Sequence, residues 1–193
     1  MNSPTVYGPT AHSAVAPRRT LQFYATASWM SLTATAVVVG VHHVYREGWQ
    51  LLVPFAILAA LPYPLVRWFQ ATGSPAGLGA YALLSAVTIA GFGFVDGFLD
   101  QVTNAFVGLY TSVSGQEADR VERAFRVLPP TPLVGDFFYE ATGILEFAGA
   151  VIAAYYAYRF LRAVVTQRSG AVRLRAAVPA EGERRSRRHA SSS

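Results

Sequence analysis

The chain has 193 residues, of which 52% are hydrophobic and 14% are charged, and its formal net charge is +5. A soluble domain carries about 25% charged residues, so this composition is typical of a membrane protein, and the length fits one compact helical domain. The sequence contains no cysteine, which excludes disulfides, thiolate catalysis and cysteine-bound metals or clusters.

Four long apolar stretches dominate the sequence, and we expect each to form a membrane-spanning helix. Each has about 18 or more residues, which as a helix crosses about 30 Å of hydrocarbon. The stretches cover residues 21–44, 49–69, 78–95 and 137–165. The sequence therefore predicts an all-α membrane protein with four transmembrane helices in a bundle, and residues 20–166 form the transmembrane domain.

Segments around and within these spans carry further predictions. Residues 1–19 are mostly polar and rich in serine, threonine and proline, so we expect a disordered N-terminal segment. Pro62 and Pro64 each remove a backbone donor inside the second stretch, which predicts a kinked second helix. Residues 116–127 have apolar side chains near helical spacing, which predicts a short amphipathic helix in the long outer loop between spans three and four.

The basic charge is concentrated at the end of the chain, where nine of the sixteen arginines follow Tyr158. We expect residues 167–193 to form a basic, disordered cytoplasmic tail. Arginines near a membrane surface bind anionic lipid headgroups, although the same residues also serve simply to anchor the topology. The headgroup candidates are Arg159, Arg162, Arg184 and Arg185. Nucleic-acid binding is not expected, because no folded basic module accompanies the tail.

The distribution of arginines also predicts the orientation of the spans. If both termini are inside, the inner segments hold twelve arginines and the outer segments hold four. The positive-inside rule then places both termini in the cytoplasm, as an even number of spans allows. We therefore expect a multi-pass protein of the cell (plasma) membrane whose long loop and histidine-containing turn face outward.

Most acidic and imidazole side chains near the spans are expected at this outer end of the bundle. Together with the amide of Asn104, they are His42, His43, Asp96, Asp100, Asp136, Glu140 and Glu146. Asp96, Asp100 and Asn104 are four residues apart, which places them on one helical face. Glu146 lies about two and a half turns into the fourth span, where an ionised group is costly, so we expect it to face the bundle interior.

Three interpretations of this polar group are open. In the first, its members pair and hydrogen-bond only to hold the helices together. In the second, His42 or His43 combines with Asp96, Asp100 or Glu140 to supply nitrogen and oxygen ligands for a divalent metal ion. The third is a pathway for a proton or ligand, lined by Asp96, Asp100, Asn104, Glu140 and Glu146.

The functional hypothesis is a small integral membrane protein with an outward-facing polar pocket that binds an ion or small ligand or serves transport. The alternative is a non-catalytic accessory subunit of a larger membrane complex. An enzyme is less favoured, because no nucleophile and base are recognisable, although Glu146 and His43 are the best acid–base candidates. The expected partners are the lipid bilayer and either further copies of the chain or a larger complex.

One segment carries a resemblance to known proteins. The run GFGFVDGFLDQ at 91–101 is similar to the glycine-rich Asp-Gly helix of a family of small four-helix prokaryotic membrane proteins of unknown function. The resemblance implies a histidine a few residues after Asp-Gly. This chain has Asp100 and Gln101 in that neighbourhood, so the position that would suggest metal or haem binding departs from the pattern.

The orientation can be tested directly, because the chain has no native cysteine. A cysteine introduced by Ser114→Cys should react with a membrane-impermeant thiol reagent in intact cells, because the positive-inside rule places the long loop outside. A cysteine introduced by Ser192→Cys should react only after the membrane is permeabilised. Labelling in the opposite pattern would reverse the predicted orientation.

Overall fold

A computed structural model describes the backbone of residues 15–103, 106 and 137–190, and the side chains of residues 19–103, 106, 137–170 and 172. The elements are α1 (Val15–Glu47), a 3₁₀ turn (Trp49–Leu51), α2 (Leu52–Ala60), α3 (Pro62–Thr72), α4 (Pro75–Ala86), a π-helix (Val87–Val102) and α5 (Phe137–Ala190). The predicted loop helix at 116–127, together with Asn104 and Asp136, lies outside the described residues.

Four helical segments are long and apolar enough to cross a membrane, which confirms the number of spans and the all-helical class at that level. They are Arg19–Glu47, Trp49–Thr72, Pro75–Val102 and Phe137–Gly170. The described residues contain helices and turns without any strand. Each segment is longer than the apolar stretch from which it was predicted, because helical backbone continues into the polar residues at the ends.

The distribution of side chains also fits a membrane environment. Large apolar side chains are exposed along the spans, as at Val53, Leu83 and Val165, each more than 60% exposed. The buried positions include many polar groups, namely Ser28, Thr35, His42, Ser85, Thr88, Asp96, Asp100, Gln101, Thr142 and Glu146. Polar groups in a bilayer are stable when they face the bundle interior, so this arrangement is the one expected for a membrane bundle.

Two turns connect the first three spans. After α1, Gly48 adopts φ 99°, a conformation that side-chain-bearing residues rarely take, and the chain enters the 3₁₀ turn. After α3, Gly73 ends the helix in the left-handed region with φ 67°. Ser74 then caps α4 by accepting a hydrogen bond from the backbone N–H of Gly77. Both connections are short, so consecutive spans run in opposite directions as neighbours.

The second span is divided at Leu61, between α2 and α3. Leu61 keeps helical dihedral angles, with φ −64° and ψ −33°. The division arises because Pro62 and Pro64 have no N–H, so the carbonyls one turn earlier lose their donors. The bend that these prolines predict stays a prediction.

The π-helix and α5 approach each other closely through glycines. A Cβ atom added to Gly93 would lie 2.0 Å from the Cβ of Ala150, and one added to Gly97 would lie 2.9 Å from the backbone nitrogen of Phe147. On its other side α5 meets α1, where a Cβ on Gly149 would lie 2.9 Å from Thr35 Oγ1. These contacts hold α5 near two helices at once and bring its interior face against both.

The chain forms two compact units. One is Ala25–Ala157, which contains the close packing just described; the other comprises the two ends of the chain, up to Tyr24 and from Tyr158. In the second unit Arg159 donates to the Tyr24 hydroxyl and lies 4.6 Å from the centre of its ring. The backbone of α5 is helical to Ala190, and the disordered tail that the sequence predicts from residue 167 stays a prediction. Alanine and arginine, common there, are strong helix formers.

The close contact at Gly93 makes a specific prediction about stability. Gly93→Ala should lower the free energy of unfolding by about 1–3 kcal/mol, the usual range for overpacking, because the new methyl group overlaps Ala150. Gly91→Ala is the matched control: its Cβ would meet nothing within 4 Å, so it should change stability by less than about 0.5 kcal/mol. Unfolding in mixed micelles followed by circular dichroism measures both.

A compensating change sharpens this test. Ala150→Gly removes the methyl group that Gly93→Ala would strike, so the double variant should recover part of the lost stability. Equal effects of Gly91→Ala and Gly93→Ala would contradict the close approach of the two helices.

Candidate functional site

Three buried ionisable side chains from three different spans converge in the unit Ala25–Ala157. His42 comes from the last two turns of α1, Asp96 from the π-helix and Glu146 from the third turn of α5. Each side chain offers one nitrogen or oxygen atom able to ligate a metal ion, and these three atoms lie within 4.8 Å of one another. Their exposures are 0%, 6% and 0%, so the group is enclosed by protein and not open as a pocket. We refer to these three residues as the buried triad.

The orientation of the His42 ring is determined by its neighbours on α5. Its Nδ1 lies 3.0 Å from the Thr142 hydroxyl oxygen, and the ring stacks on Tyr139 with centroids 4.5 Å apart. The Thr142 hydroxyl also lies 2.8 Å from the carbonyl oxygen of Phe138 and 3.0 Å from that of Tyr139. Two of the three contacts of this hydroxyl are therefore with carbonyl oxygens, which accept hydrogen bonds and cannot donate them.

These contacts determine which ring nitrogen carries the proton. A threonine hydroxyl has one proton, and here it is best donated to a backbone carbonyl, the nearer of which is at 2.8 Å. The hydroxyl oxygen then accepts from His42, so Nδ1 is the protonated nitrogen. In the neutral ring Nε2 consequently carries a lone pair. That nitrogen has no hydrogen-bond partner among the described residues, and it lies 3.5 Å from Asp96 Oδ2.

Asp96 uses its two oxygens differently. Oδ1 accepts a hydrogen bond from Arg46 Nη1 at 3.3 Å, and the same guanidinium also pairs through Nε with the half-exposed Glu47 at 3.0 Å. Oδ2 lies 3.5 Å from His42 Nε2 and 3.8 Å from His43 Nε2, and it has no hydrogen bond within the described part of the chain. Arg46 therefore satisfies one side of this carboxylate and leaves the other directed into the triad.

Of the three residues, Glu146 has the fewest hydrogen bonds within the described structure. Its side chain is fully buried, and neither carboxylate oxygen has a hydrogen-bond partner among the residues that the structure describes. The close packing of α5 against the π-helix explains the burial, because Gly143 and Ala150 contact that helix on either side of Glu146 in the sequence. An ionised carboxylate without a donor is among the most costly groups to bury.

The other predicted residues lie around the buried triad or away from it. His43 donates from Nδ1 to the Val39 carbonyl at 3.0 Å and packs against Phe55, so it approaches Asp96 without joining the triad. Asp100 is buried and accepts from Gln101 Nε2 at 3.2 Å. Glu140 is only partly buried, near the start of α5.

The predicted headgroup arginines fall in the other compact unit. Arg159 contacts Tyr24 as described above, and Arg162 lies 3.5 Å from the Tyr158 hydroxyl. The side chains of Arg184 and Arg185 lie outside the described residues. Arginine beside tyrosine is a common arrangement at a membrane interface, where both side chains have an apolar body and a polar end.

Two residues of the site were not identified from the sequence. Thr142 orients His42, and Arg46 pairs with Asp96. Thr142 lies four residues before Glu146, so helical spacing already puts both on one face of α5. Arg46 lies four residues after His42 on α1, in the same relation. The spacing was a usable signal, but it does not reveal which neighbouring helix such a face meets.

A separate groove of about 460 Å³ lies between α1 and α2, on a different face of α1 from the triad. It is lined by apolar atoms, among them those of Val37, Gly40, Phe55 and Ala59. A groove of this kind offers no ligand to an ion, so it does not serve the predicted ion-binding chemistry.

The triad cannot be interpreted by analogy with known proteins. The chain matches no protein-family model, and neither the curated proteins nor the solved structures contain a match.

Proposed function

We propose that this chain is an integral membrane protein that binds a cation within its helical bundle, at the triad of His42, Asp96 and Glu146. The observation that supports this most is the meeting of three buried metal-ligating side chains whose His42 Nε2, Asp96 Oδ2 and both Glu146 oxygens have no hydrogen-bond partner in the described structure. Four helices able to cross a membrane supply the surrounding low-polarity interior.

The argument against a purely structural role follows from the hydrogen bonds. Polar groups that only hold helices together are expected to pair as donor and acceptor, as Ser28 and Tyr81 do elsewhere in the bundle. When Asp96 and Glu146 are ionised, His42 Nε2 and the carboxylate oxygens of the triad all present lone pairs, which repel one another. A positive charge between them turns this repulsion into attraction, and a bound cation supplies it.

The position of the triad favours exchange with one side of the membrane. Glu146 lies nine residues into α5, or roughly 13 Å along the helix, and His42 lies five residues from the end of α1, or roughly 7 Å. Both distances are measured from ends that the arginine distribution assigns to the outer side. We therefore propose that the site exchanges its cation with the outer side of the cell membrane, and that both termini are cytoplasmic.

A substitution of Glu146 tests the proposal. Glu146→Gln keeps the size of the side chain but removes its charge, so it should reduce bound cation to background while the protein still accumulates in the membrane. Glu140→Gln is the matched control, one and a half turns earlier on the same helix and not a member of the triad. The measurement is elemental analysis of protein purified without chelator, with equilibrium dialysis against Na⁺, Mg²⁺, Ca²⁺, Mn²⁺ and Zn²⁺.

Two results would overturn the proposed function. If wild-type protein binds none of these cations above the Glu146→Gln level, the triad does not bind a cation. If Glu146→Gln fails to accumulate while Glu140→Gln is normal, the carboxylate is required for folding, and the structural interpretation is favoured. Recovery of a stoichiometric partner in mild detergent, together with absence of bound cation, would support the accessory-subunit alternative.

A further inference from the structure

We propose that the bound cation is a divalent transition-metal ion of the zinc or manganese kind, ligated by His42 Nε2, Asp96 Oδ2 and Glu146. We further propose that Thr142 is a positioning residue that holds His42 in the tautomer required for binding. This inference rests on the proposed function, since it specifies which cation the same site takes.

The donor set carries the first part of the inference. Two carboxylates alone would suit Mg²⁺ or Ca²⁺, which prefer oxygen ligands. A neutral imidazole nitrogen directed at the same point favours Zn²⁺, Fe²⁺, Mn²⁺ or Co²⁺, which accept mixed nitrogen and oxygen ligands. One histidine with two carboxylates leaves a coordination position for a further ligand, as in sites where a metal exchanges or reacts.

The distances are consistent with such an ion. Donors about 2.1 Å from a tetrahedral ion are about 3.4 Å from one another. His42 Nε2 and Asp96 Oδ2 are 3.5 Å apart, close to that separation. The separations to Glu146 are no more than 4.8 Å. Closing these to about 3.4 Å requires a movement of at most about 1.4 Å, which rotation of a glutamate side chain can supply.

The charge balance favours a divalent ion over a monovalent one. Carboxylates bind metal ions in the deprotonated form, in which Asp96 and Glu146 together carry two negative charges in a buried site. Arg46 is the guanidinium in contact with Asp96, but it is shared with Glu47, whose charge it also offsets. A divalent ion neutralises the two buried carboxylates, whereas a monovalent ion leaves one charge uncompensated at membrane depth.

The second part of the inference follows from the contacts of Thr142. Metal-bound histidines commonly donate their other ring N–H to an oxygen, which fixes the tautomer and the orientation of the ring. Thr142 provides this oxygen at 3.0 Å, and its own proton is directed to the carbonyls of its helix. The hydroxyl thus makes Nε2 the unprotonated nitrogen before any metal arrives.

A panel of metal ions tests the identity of the cation. Chelator-stripped protein in detergent is titrated with Zn²⁺, Mn²⁺ and Co²⁺ and, separately, with Mg²⁺ and Ca²⁺. We expect one transition-metal ion per chain, bound at least 100-fold more tightly than either alkaline-earth ion. Co²⁺-loaded protein should show visible absorption that disappears in His42→Ala. Tighter binding of Mg²⁺ or Ca²⁺ would overturn this inference and leave the proposed function intact, whereas no binding of any cation would overturn both.

Substitutions of threonine test the positioning role. Thr142→Val keeps the shape and removes the hydroxyl, so the affinity for Zn²⁺ should fall by roughly 10–100-fold, the usual effect of losing such an outer partner. Thr142→Ser retains the hydroxyl and should restore most of the affinity. Thr88→Val is the matched control, because Thr88 is equally buried in the bundle and its hydroxyl has no hydrogen-bond partner in the described structure.

The thermal midpoint of the metal-free protein separates positioning from stability. If Thr142→Val and Thr88→Val have similar midpoints but only the former loses affinity, Thr142 acts through His42. If Thr142→Val binds Zn²⁺ as tightly as wild type, the positioning role is overturned. If serine does not restore affinity, the threonine methyl group and not the hydroxyl is responsible, which also overturns it.

Discussion

The arrangement of this bundle depends on one constraint, which is that an ionisable group at membrane depth must be compensated by other groups in the protein. Ten polar side chains are buried within the described structure, and five of them hydrogen-bond within their own helix. Ser85, for example, donates to a carbonyl in the previous turn of its own helix. Glu146 has no such partner, because neither of its oxygens has a hydrogen bond within the described structure. An ionised carboxylate in this position requires a positive charge beside it, and in the function that we propose a bound cation supplies that charge.

The same constraint explains why the helices pack so closely around α5. Gly93 and Gly97 allow the π-helix to contact α5 almost at the backbone, and Gly149 allows α1 to do so on the other side. Larger residues would separate the three spans and carry Asp96 and His42 away from Glu146. The π-helix contributes as well: its turns are wider than those of an α-helix, and such segments are frequent at functional sites. The close helix packing and the π-helix are therefore both next to the buried carboxyl group of Glu146.

Much of the fold could be predicted from the sequence, because span length and apolar composition are properties of single segments. The burial of Glu146 could be predicted for the same reason, since a carboxylate deep in an apolar stretch is expected to face the bundle interior. The partners of Glu146 could not be predicted from the sequence. They depend on how each helix is rotated against its neighbour, which is a property of two segments together. His42 and His43 are adjacent in sequence, yet His42 turns to α5 and His43 turns to Phe55. Asp100, which shares a helical face with Asp96, is instead held by Gln101.

Arg46 shows why a protein cation does not complete the site. Its guanidinium reaches Asp96 through Nη1 and Glu47 through Nε, so its charge is divided between a buried and a half-exposed carboxylate. The contact with Asp96 is to Oδ1, on the side away from His42, and no contact with Glu146 is present in the described structure. Arg46 consequently orients Asp96 without neutralising the triad. A guanidinium placed between Asp96 and Glu146 would pair with both carboxylates, whereas Arg46 lies beside them and leaves the position between the three residues to the smaller cation that we propose.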